Sequence, residues 1–271
     1  MAAEASVQTD PYRALYYRWE TEQWSAEAID LSRDPSRWRD LGPASKSALA
    51  TFVALFRACA LAGIEHLVAF AEAAPTEEQH VFLTTQLVDA ARHVVFFDRA
   101  AREVVGVTEG PPEGVLSEGA RSLLSERLPA VARHLRDDPS DETALLDGIV
   151  LYHLLVEHAL ELSLVKFLLG HLSSHAALDG FRAGAAAVGR DLARHVDFAT
   201  QWLSDSTANG HRAAIEDAVE RALPALRTAF DAPPVNRALY DEMPFHAHEA
   251  GDWAVGALTK KLHAIGVELR G

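Results

Sequence analysis

The sequence contains very little sulfur, with one cysteine and two methionines among 271 residues. A single cysteine excludes an intrachain disulfide framework. Cys59 lies in an apolar helical stretch, which predicts a buried, reduced thiol and suits a cytoplasmic protein. The N-terminus has no basic segment followed by an apolar stretch, so we expect no signal peptide. We also expect no apolar run that is long enough, and free enough of charge, to span a bilayer.

Basic residues are few as well. The chain has 25 Lys and Arg against 39 Asp and Glu, which gives a formal net charge of −14. This excess of negative charge argues against nucleic acid and anionic membrane surfaces as partners. Apolar runs with a period of two are scarce, whereas apolar residues recur at helical spacing. The sequence therefore predicts an all-α protein, and its length suffices for one domain, 1–271, with a sizeable core.

Helix start and stop signals divide the chain into segments. Pro43 lies near the start of a long helix that Pro75 stops, Thr76 is the predicted N-cap of the next, and Asp141 caps a third. We predict four core helices at about 43–74, 76–106, 141–170 and 176–204. A packing arm with one short helix lies at 12–32, and weaker or flanking helices lie at about 115–136, 210–230 and 246–267. This gives about eight helices around a four-helix core.

The motif Asp-x-Ala-Arg-His occurs twice, at 89–93 and at 191–195, inside two of the core helices. In four-helix di-metal proteins, such a helix carries Glu-x-x-His, which places a carboxylate and an imidazole one turn apart on the same face. Here Ala90 and Leu192 stand at the Glu positions. The motif therefore predicts that His93 and His195 face a shared interior that lacks two of the carboxylates of a di-metal centre.

Two acidic residues interrupt apolar stretches of the other core helices. Glu65 and Glu157 are the strongest candidates for buried carboxylates, which are costly unless they are paired or coordinated. With His93 and His195 they would supply one polar side chain from each core helix. Two imidazoles and two carboxylates suffice for one divalent iron or manganese ion with open positions for water or O2. Glu161 lies one turn after Glu157 and is a candidate to replace a lost carboxylate.

Several segments that carry these residues occur in a particular order. They are Trp19-Glu20, Trp24, Glu65-x-x-Val68, Gln86 to His93, Tyr152-His153, Val156-Glu157 and Arg190 to His195. This order resembles the ferritin-like superfamily over about residues 12–205. More narrowly, it resembles the small subunit of class I ribonucleotide reductase and, above all, the related ligand-binding oxidases.

The resemblance implies a ferritin-like bundle, a homodimer, and an Mn/Fe or di-iron centre beside a bound fatty acid, with a Tyr–Val ether cross-link. The matching positions are Glu65, His93, Glu157 and His195 for metal ligands, Val68 and Tyr152 for the cross-link, and Asp89 and Asp191 for acids hydrogen-bonded to the imidazoles. Since Ala90 and Leu192 replace two ligands, we expect one metal ion rather than two. Phe97 stands where the reductase subunits keep a radical-forming tyrosine, so we do not expect a reductase role.

The leading functional hypothesis is an O2-dependent iron or manganese oxidoreductase that acts on a small, largely apolar molecule. One alternative is a non-enzymatic ligand-binding protein with a degenerate metal site. Another is a metal-independent enzyme in which Glu65 or Glu157 is a general base, because burial would raise its pKa towards neutrality. The feature that discriminates among them is whether Glu161 or solvent fills the place of the two lost ligands.

Overall fold

Helices account for the regular structure in the computed structural model, which describes residues 10–107, 114–175, 178–231 and 247–269. Within these ranges nine continuous helices are present, against about eight expected, and no strand occurs. They are α1 (Pro11–Thr21), α2 (Asp34–Asp40), α3 (Pro43–Glu72), α4 (Glu77–Arg99, continued by the π-helical Ala100–Val105), α5 (Glu118–Arg121, π-helical Ser122–Arg127 and Leu128–Asp137), α6 (Glu142–Ile149, π-helical Val150–Glu161 and Leu162–His175), α7 (Asp179–Ala208), α8 (Arg212–Thr228) and α9 (Ala247–Ala264). The prediction of an all-α fold is confirmed.

The four long helices α3, α4, α6 and α7 correspond to the predicted core helices, with ends that differ by a few residues. Their start signals act as the sequence predicts. The Thr76 side chain accepts a hydrogen bond from the Gln79 backbone nitrogen at 3.3 Å, and Asp141 caps α6 through two backbone nitrogens, each at 3.0 Å. These bonds satisfy amide groups that the first helical turn leaves without partners.

Close contact between α4 and α7 brings the two histidine motifs together. Gly184 of α7 lies against the ring of Phe96 of α4, and a Cβ atom added to this glycine would lie 2.1 Å from that ring. Phe96 in turn packs edge-on against Phe97, which stacks on Phe56 of α3. Aromatic rings thus fill the space between these helices on one side of the site.

Helices α3 and α6 are long and apolar enough to cross a membrane by length and composition alone, so the expectation that no run would qualify is wrong. The most apolar stretch of α6 is 89% buried within the bundle, and that of α3 is 61% buried. A helix that is apolar on all sides is expected in the core of a protein of this size. Their composition is therefore accounted for by burial among the other helices.

The π-helical segment Val150–Glu161 sets the orientation of the polar residues on α6. In a π-helix the hydrogen bond runs from residue i to i+5, so residues five apart lie nearly one above the other. Tyr152 and Glu157 are five residues apart, and Glu161 is one further turn along. All three are at most 3% exposed, so the segment directs them into the bundle together.

Candidate metal centre

The two repeated motifs are paired crosswise in the interior. His93 Nε2 lies 3.1 Å from Asp191 Oδ2, and His195 Nε2 lies 3.0 Å from Asp89 Oδ2. The aspartate of each motif therefore binds the histidine of the other motif. All four residues are at most 4% exposed.

Arg194 joins the two aspartates. Its side chain has no solvent exposure, and Nη2 donates to Asp89 Oδ2 at 2.7 Å and to Asp191 Oδ1 at 2.8 Å. Its Nη1 donates to Glu22 Oε2 at 2.9 Å. Burial raises the pKa of Asp191, but the hydrogen bond with His93 and further donors outweigh this and hold that pKa well below its ordinary value. The two aspartates are therefore charged acceptors at neutral pH.

Two tryptophans complete the hydrogen bonds of the aspartates. Trp19 Nε1 donates to Asp89 Oδ1 at 3.0 Å, and Trp24 Nε1 donates to Asp191 Oδ2 at 2.7 Å. Arg92 Nη2 also donates to Asp89, at 2.7 Å. Both tryptophans belong to the order of segments that carries the resemblance, but these hydrogen bonds are not predicted from it, because an aromatic N-terminal segment is also typical of plain packing. Their indole nitrogens fix the carboxylates that orient the imidazoles.

His195 is in contact with carboxylates through both of its ring nitrogens. Besides Asp89 at Nε2, Glu157 Oε1 lies 2.7 Å from Nδ1. Burial lowers the pKa of His195, but the negative charge of Glu157 and the hydrogen bonds to both carboxylates outweigh it and raise this pKa to about 10. The ring is therefore an imidazolium at neutral pH, and a proton lies between Nδ1 and Glu157.

Glu161 lies inside the bundle and is 3% exposed. Burial and the nearby charge of Glu157 raise the pKa of Glu161 well above its ordinary value, although His195 opposes this. These effects favour the protonated, uncharged form of this carboxyl group. Glu157 Oε2 is buried and has no hydrogen-bond partner within the described part of the chain. The interior thus contains a neutral acid beside an incompletely bonded carboxylate.

Tyr152 and Cys59 are the other interior groups near this acid pair. A Cβ atom added to Gly63 would lie 2.5 Å from the Tyr152 hydroxyl and 3.4 Å from the Cβ of Ala90. The tyrosine hydroxyl therefore covers Gly63 and lies near the small Ala90. Burial and the charges of Glu161 and Glu157 raise the pKa of the Cys59 thiol well above its ordinary value, so this thiol is neutral.

Glu65 does not face the interior, and that prediction is wrong. Its side chain is 66% exposed, and its backbone oxygen accepts a hydrogen bond from Arg136 at 2.7 Å. Val68, one turn further, is 42% exposed. The proposed cross-link partner Tyr152 is instead buried against Gly63, so Val68 and Tyr152 lie on different sides of α3. Without side-chain burial, Glu65 has no reason to require a cation.

A further buried polar pair, His153 and Gln86, is not predicted by the sequence motifs. His153 Nε2 lies 2.9 Å from Gln86 Oε1, and neither residue is exposed. Burial lowers the pKa of His153 to about 4, so its ring is neutral. Gln86 precedes His93 by seven residues, or two helical turns, and this spacing could have placed its side chain on the interior face of α4.

The donor set does not fit a di-metal centre. Ala90 and Leu192 are buried apolar residues at two of the expected ligand positions, and Glu65 lies outside. As the side chains stand, no three His, Cys, Asp or Glu residues within the described ranges surround a common point that fits an ion. Imidazole and carboxylate side chains such as those of His195, Glu157 and Glu161 are ligand types that suit iron or manganese, and Glu157 Oε2 keeps lone pairs that no hydrogen bond within the described residues uses. Such an ion would replace the proton between His195 and Glu157.

The whole chain is similar to solved structures of R2-like ligand-binding oxidases. A variant with an anaerobically reconstituted Mn/Fe cofactor has a TM-score of 0.83 and 20% sequence identity, and the alignment covers 96% of this chain and 94% of that chain. Another variant, with an aerobically reconstituted Mn/Fe cofactor, has a TM-score of 0.83 at 19% identity over the same shares of both chains. No family model and no curated protein matches the sequence. The chain therefore has the ferritin-like fold of the R2-like ligand-binding oxidases.

Proposed function

We propose that this chain is a cytoplasmic, O2-dependent non-haem oxidoreductase that uses a single iron or manganese ion and acts on a small, largely apolar molecule. The observation that carries the proposal is the position of Glu161. It lies buried beside Glu157 and His195, so the interior contains a second carboxyl group that can take the place of a lost ligand. The similar oxidases contain an Mn/Fe cofactor. A bound ion would supply the redox chemistry with O2.

The buried charges support the binding of one ion, because it can enter without leaving a net charge behind. The carboxylates Asp89, Asp191 and Glu157 are balanced by Arg92, Arg194 and protonated His195. A divalent ion adds two positive charges. If His195 and Glu161 each release one proton as the ion binds, the net charge of the interior is unchanged. We therefore expect metal affinity to rise about a hundredfold per pH unit while both groups remain protonated in the metal-free protein.

The test is a titration of chelator-treated protein with Mn2+ and with Fe2+ under anaerobic conditions at pH 7 and pH 8. Elemental analysis should give about one equivalent of metal, and a weakly buffered titration should release about two protons for each ion. The double variant His93→Ala, His195→Ala should bind no metal. Glu161→Gln should release one proton fewer and bind more weakly. Glu65→Gln is the matched control and should behave as the parent does.

The result that contradicts the proposal is equally direct. If neither ion binds at either pH, or if Glu161→Gln binds and releases protons as the parent does, the interior contains no such site. Such a result would favour the ligand-binding alternative. Two observations support that alternative. Both ring nitrogens of His195 already have carboxylate partners, and the Tyr152 hydroxyl covers Gly63. The general-base alternative loses Glu65, because an exposed carboxylate is not activated by burial.

We also propose that a second copy of the chain covers the outer face of α4. Val81, Val88 and Val95 are 38%, 49% and 51% exposed, and their spacing of seven residues places them in one line along the helix. Partly buried Leu87 and Val94 flank this line. A line of apolar side chains exposed to solvent is unusual for a monomer. It is typical of a helix that pairs with the same helix of a second copy.

Sedimentation or light scattering tests the dimer. We expect the parent chain to have twice the monomer mass and Val88→Glu to be monomeric, because a charge in the middle of the seam would be buried without a partner. Val107→Glu changes another exposed valine, 38% exposed against 49% for Val88, that lies beyond the seam, and it should remain dimeric. A parent chain that is monomeric at all accessible concentrations would contradict the proposal.

A further inference from the structure

A pocket of about 220 Å³ opens at one end of the bundle, away from the candidate metal centre. It lies where the start of α4, the start of α6 and the end of α7 meet. Its apolar floor is formed by Leu145, Leu146 and Trp202, which are at most 6% exposed. Its volume is below the range of roughly 300–1,000 Å³ that is usual for drug-sized ligands, so it suits a small molecule with one ring or a short chain.

Gln79 contributes a buried acceptor that has no partner. The residue is 7% exposed, and its Oε1 makes no hydrogen bond within the described part of the chain. The amide nitrogen of the same side chain faces the Tyr12 hydroxyl, which donates to Asp205 Oδ2 at 2.8 Å. Oε1, at the other end of the amide, is the atom without a partner, and Gln79 is one of the residues that line the pocket. An unsatisfied buried acceptor is costly unless a donor reaches it.

The polar groups around this acceptor favour a cation. Asp205 and Glu142, both exposed, line the pocket together with one histidine, His211, and none of its lining residues is a lysine or an arginine. Asp205 accepts hydrogen bonds from Tyr12 at Oδ2 and from Gln201 at Oδ1, at 2.9 Å, and each oxygen has a further lone pair. The indole of Trp202 adds an aromatic face, which attracts cations and flat apolar groups.

We propose that this pocket binds a small organic ammonium ion whose N–H groups donate to Gln79 Oε1 and to Asp205, with its apolar part against Trp202. The three features act together. The amide oxygen and the carboxylate select a positively charged donor, and the closed apolar floor selects an organic cation over a hydrated metal ion. The proposal is independent of the interior metal site, because no residue is shared between them.

The experiment uses 2-phenylethylammonium as the probe and the uncharged 2-phenylethanol as its comparison, with the full chain in each case. The side-chain amide signals of Gln79 and the indole N–H of Trp202 are followed by heteronuclear NMR. We expect saturable shifts with a dissociation constant on the order of 1 mM, as befits a ligand of this size. The alcohol should bind about tenfold more weakly, because it lacks the charge that strengthens the hydrogen bonds.

Two variants and a matched control complete the test. Gln79→Met keeps the length of the side chain but removes the acceptor, and it should weaken binding of the ammonium ion about tenfold. Asp205→Asn should weaken it by a similar factor. Glu78→Gln removes one negative charge, as Asp205→Asn does, but lies outside the pocket, so it should bind as the parent does. Unsaturable shifts, equal binding of the alcohol, or unchanged binding by Gln79→Met would each overturn the proposal.

Discussion

Replacement of Arg194 by methionine tests whether the buried ion network stabilises the fold. Arg194 has no solvent exposure and contacts Asp89 at 2.7 Å and Asp191 at 2.8 Å. Methionine fills most of the volume of the arginine stem but leaves both carboxylates without the guanidinium. Removal of one partner from a buried ion pair costs about 3–5 kcal/mol. Against a total stability of about 5–15 kcal/mol, this is a major loss, and the melting temperature should fall by roughly 5–9 °C.

The assay is urea unfolding at pH 7, with calorimetry as a second measure. Arg182→Met is the matched control because Arg182 lies on the same helix and pairs with Asp179 at 3.3 Å, with side chains that are 49% and 77% exposed. An exposed pair contributes little, so this control should change the free energy of unfolding by less than about 1 kcal/mol.

The pH dependence gives the result that would refute the reasoning. In the parent chain the pKa of Asp191 is lowered, so the stability it contributes is present above its unfolded pKa and is lost as the pH falls through its folded pKa. In Arg194→Met, burial without the guanidinium should raise the pKa of both aspartates, and protonation should relieve the penalty. The difference between parent and variant should therefore narrow from pH 7 to about pH 4. A difference that is below about 1 kcal/mol at pH 7, or that does not narrow, would show that Arg194 is not the counter-charge of these carboxylates.

Two further predictions concern other parts of the fold. The pKa of His195 is raised to about 10 from 6.5, so the stability it contributes is fully present below pH 6.5 and is lost as the pH rises towards 10. The unfolding free energy of the metal-free protein should therefore fall between these pH values. His195→Gln should remove most of this dependence of the unfolding free energy on pH. Gly184→Ala places a methyl group 2.1 Å from the Phe96 ring and should lower stability in urea unfolding by about 1–3 kcal/mol. Gly256→Ala, with nothing within 4 Å of the new atom, should instead be neutral or raise stability by up to about 1 kcal/mol. If Gly184→Ala and Gly256→Ala changed stability equally, the close packing of α4 on α7 would be contradicted.

Much of the architecture could be predicted from the sequence because its signals are local. Thr76 and Asp141 cap helices through their own side chains, and the repeated motif places His93 and His195 at equivalent points of two helices. These features depend on a few neighbouring residues and on the period of the α-helix. The fold class follows from them without knowledge of any distant contact.

The position of Glu65 could not be predicted in the same way. Helix α3 is apolar around most of its circumference, with buried residues at consecutive positions from Ala69 to Ala71. A hydrophobic pattern without a polar side does not reveal which residues face the bundle. Gly63 faces the interior and Glu65 does not, although both lie in the same apolar stretch. Only the packing of Tyr152 against α3 distinguishes them.

The π-helical segment is the second feature that local patterns could not show. A reading with 3.6 residues per turn places Tyr152 and Glu157 about 140° apart around the helix. The i to i+5 hydrogen bonds of Val150–Glu161 bring them onto one side. The spacing of apolar residues in this stretch does not reveal the wider turn of the π-helix. Nearly every residue in it is buried, so no polar side marks the period.

Because of the crosswise contacts, neither copy of the repeated motif can orient its own histidine. Each imidazole is oriented by an aspartate of the other helix. One residue inserted or deleted between Asp89 and His93 would therefore displace both rings at once. If the chain arose by duplication of a helix pair, a single pair could no longer orient its histidine once each aspartate bound the histidine of the other copy. Substitutions at Asp89 and Asp191 should accordingly be tolerated only in concert with their distant partners, and a screen of paired variants would reveal that dependence.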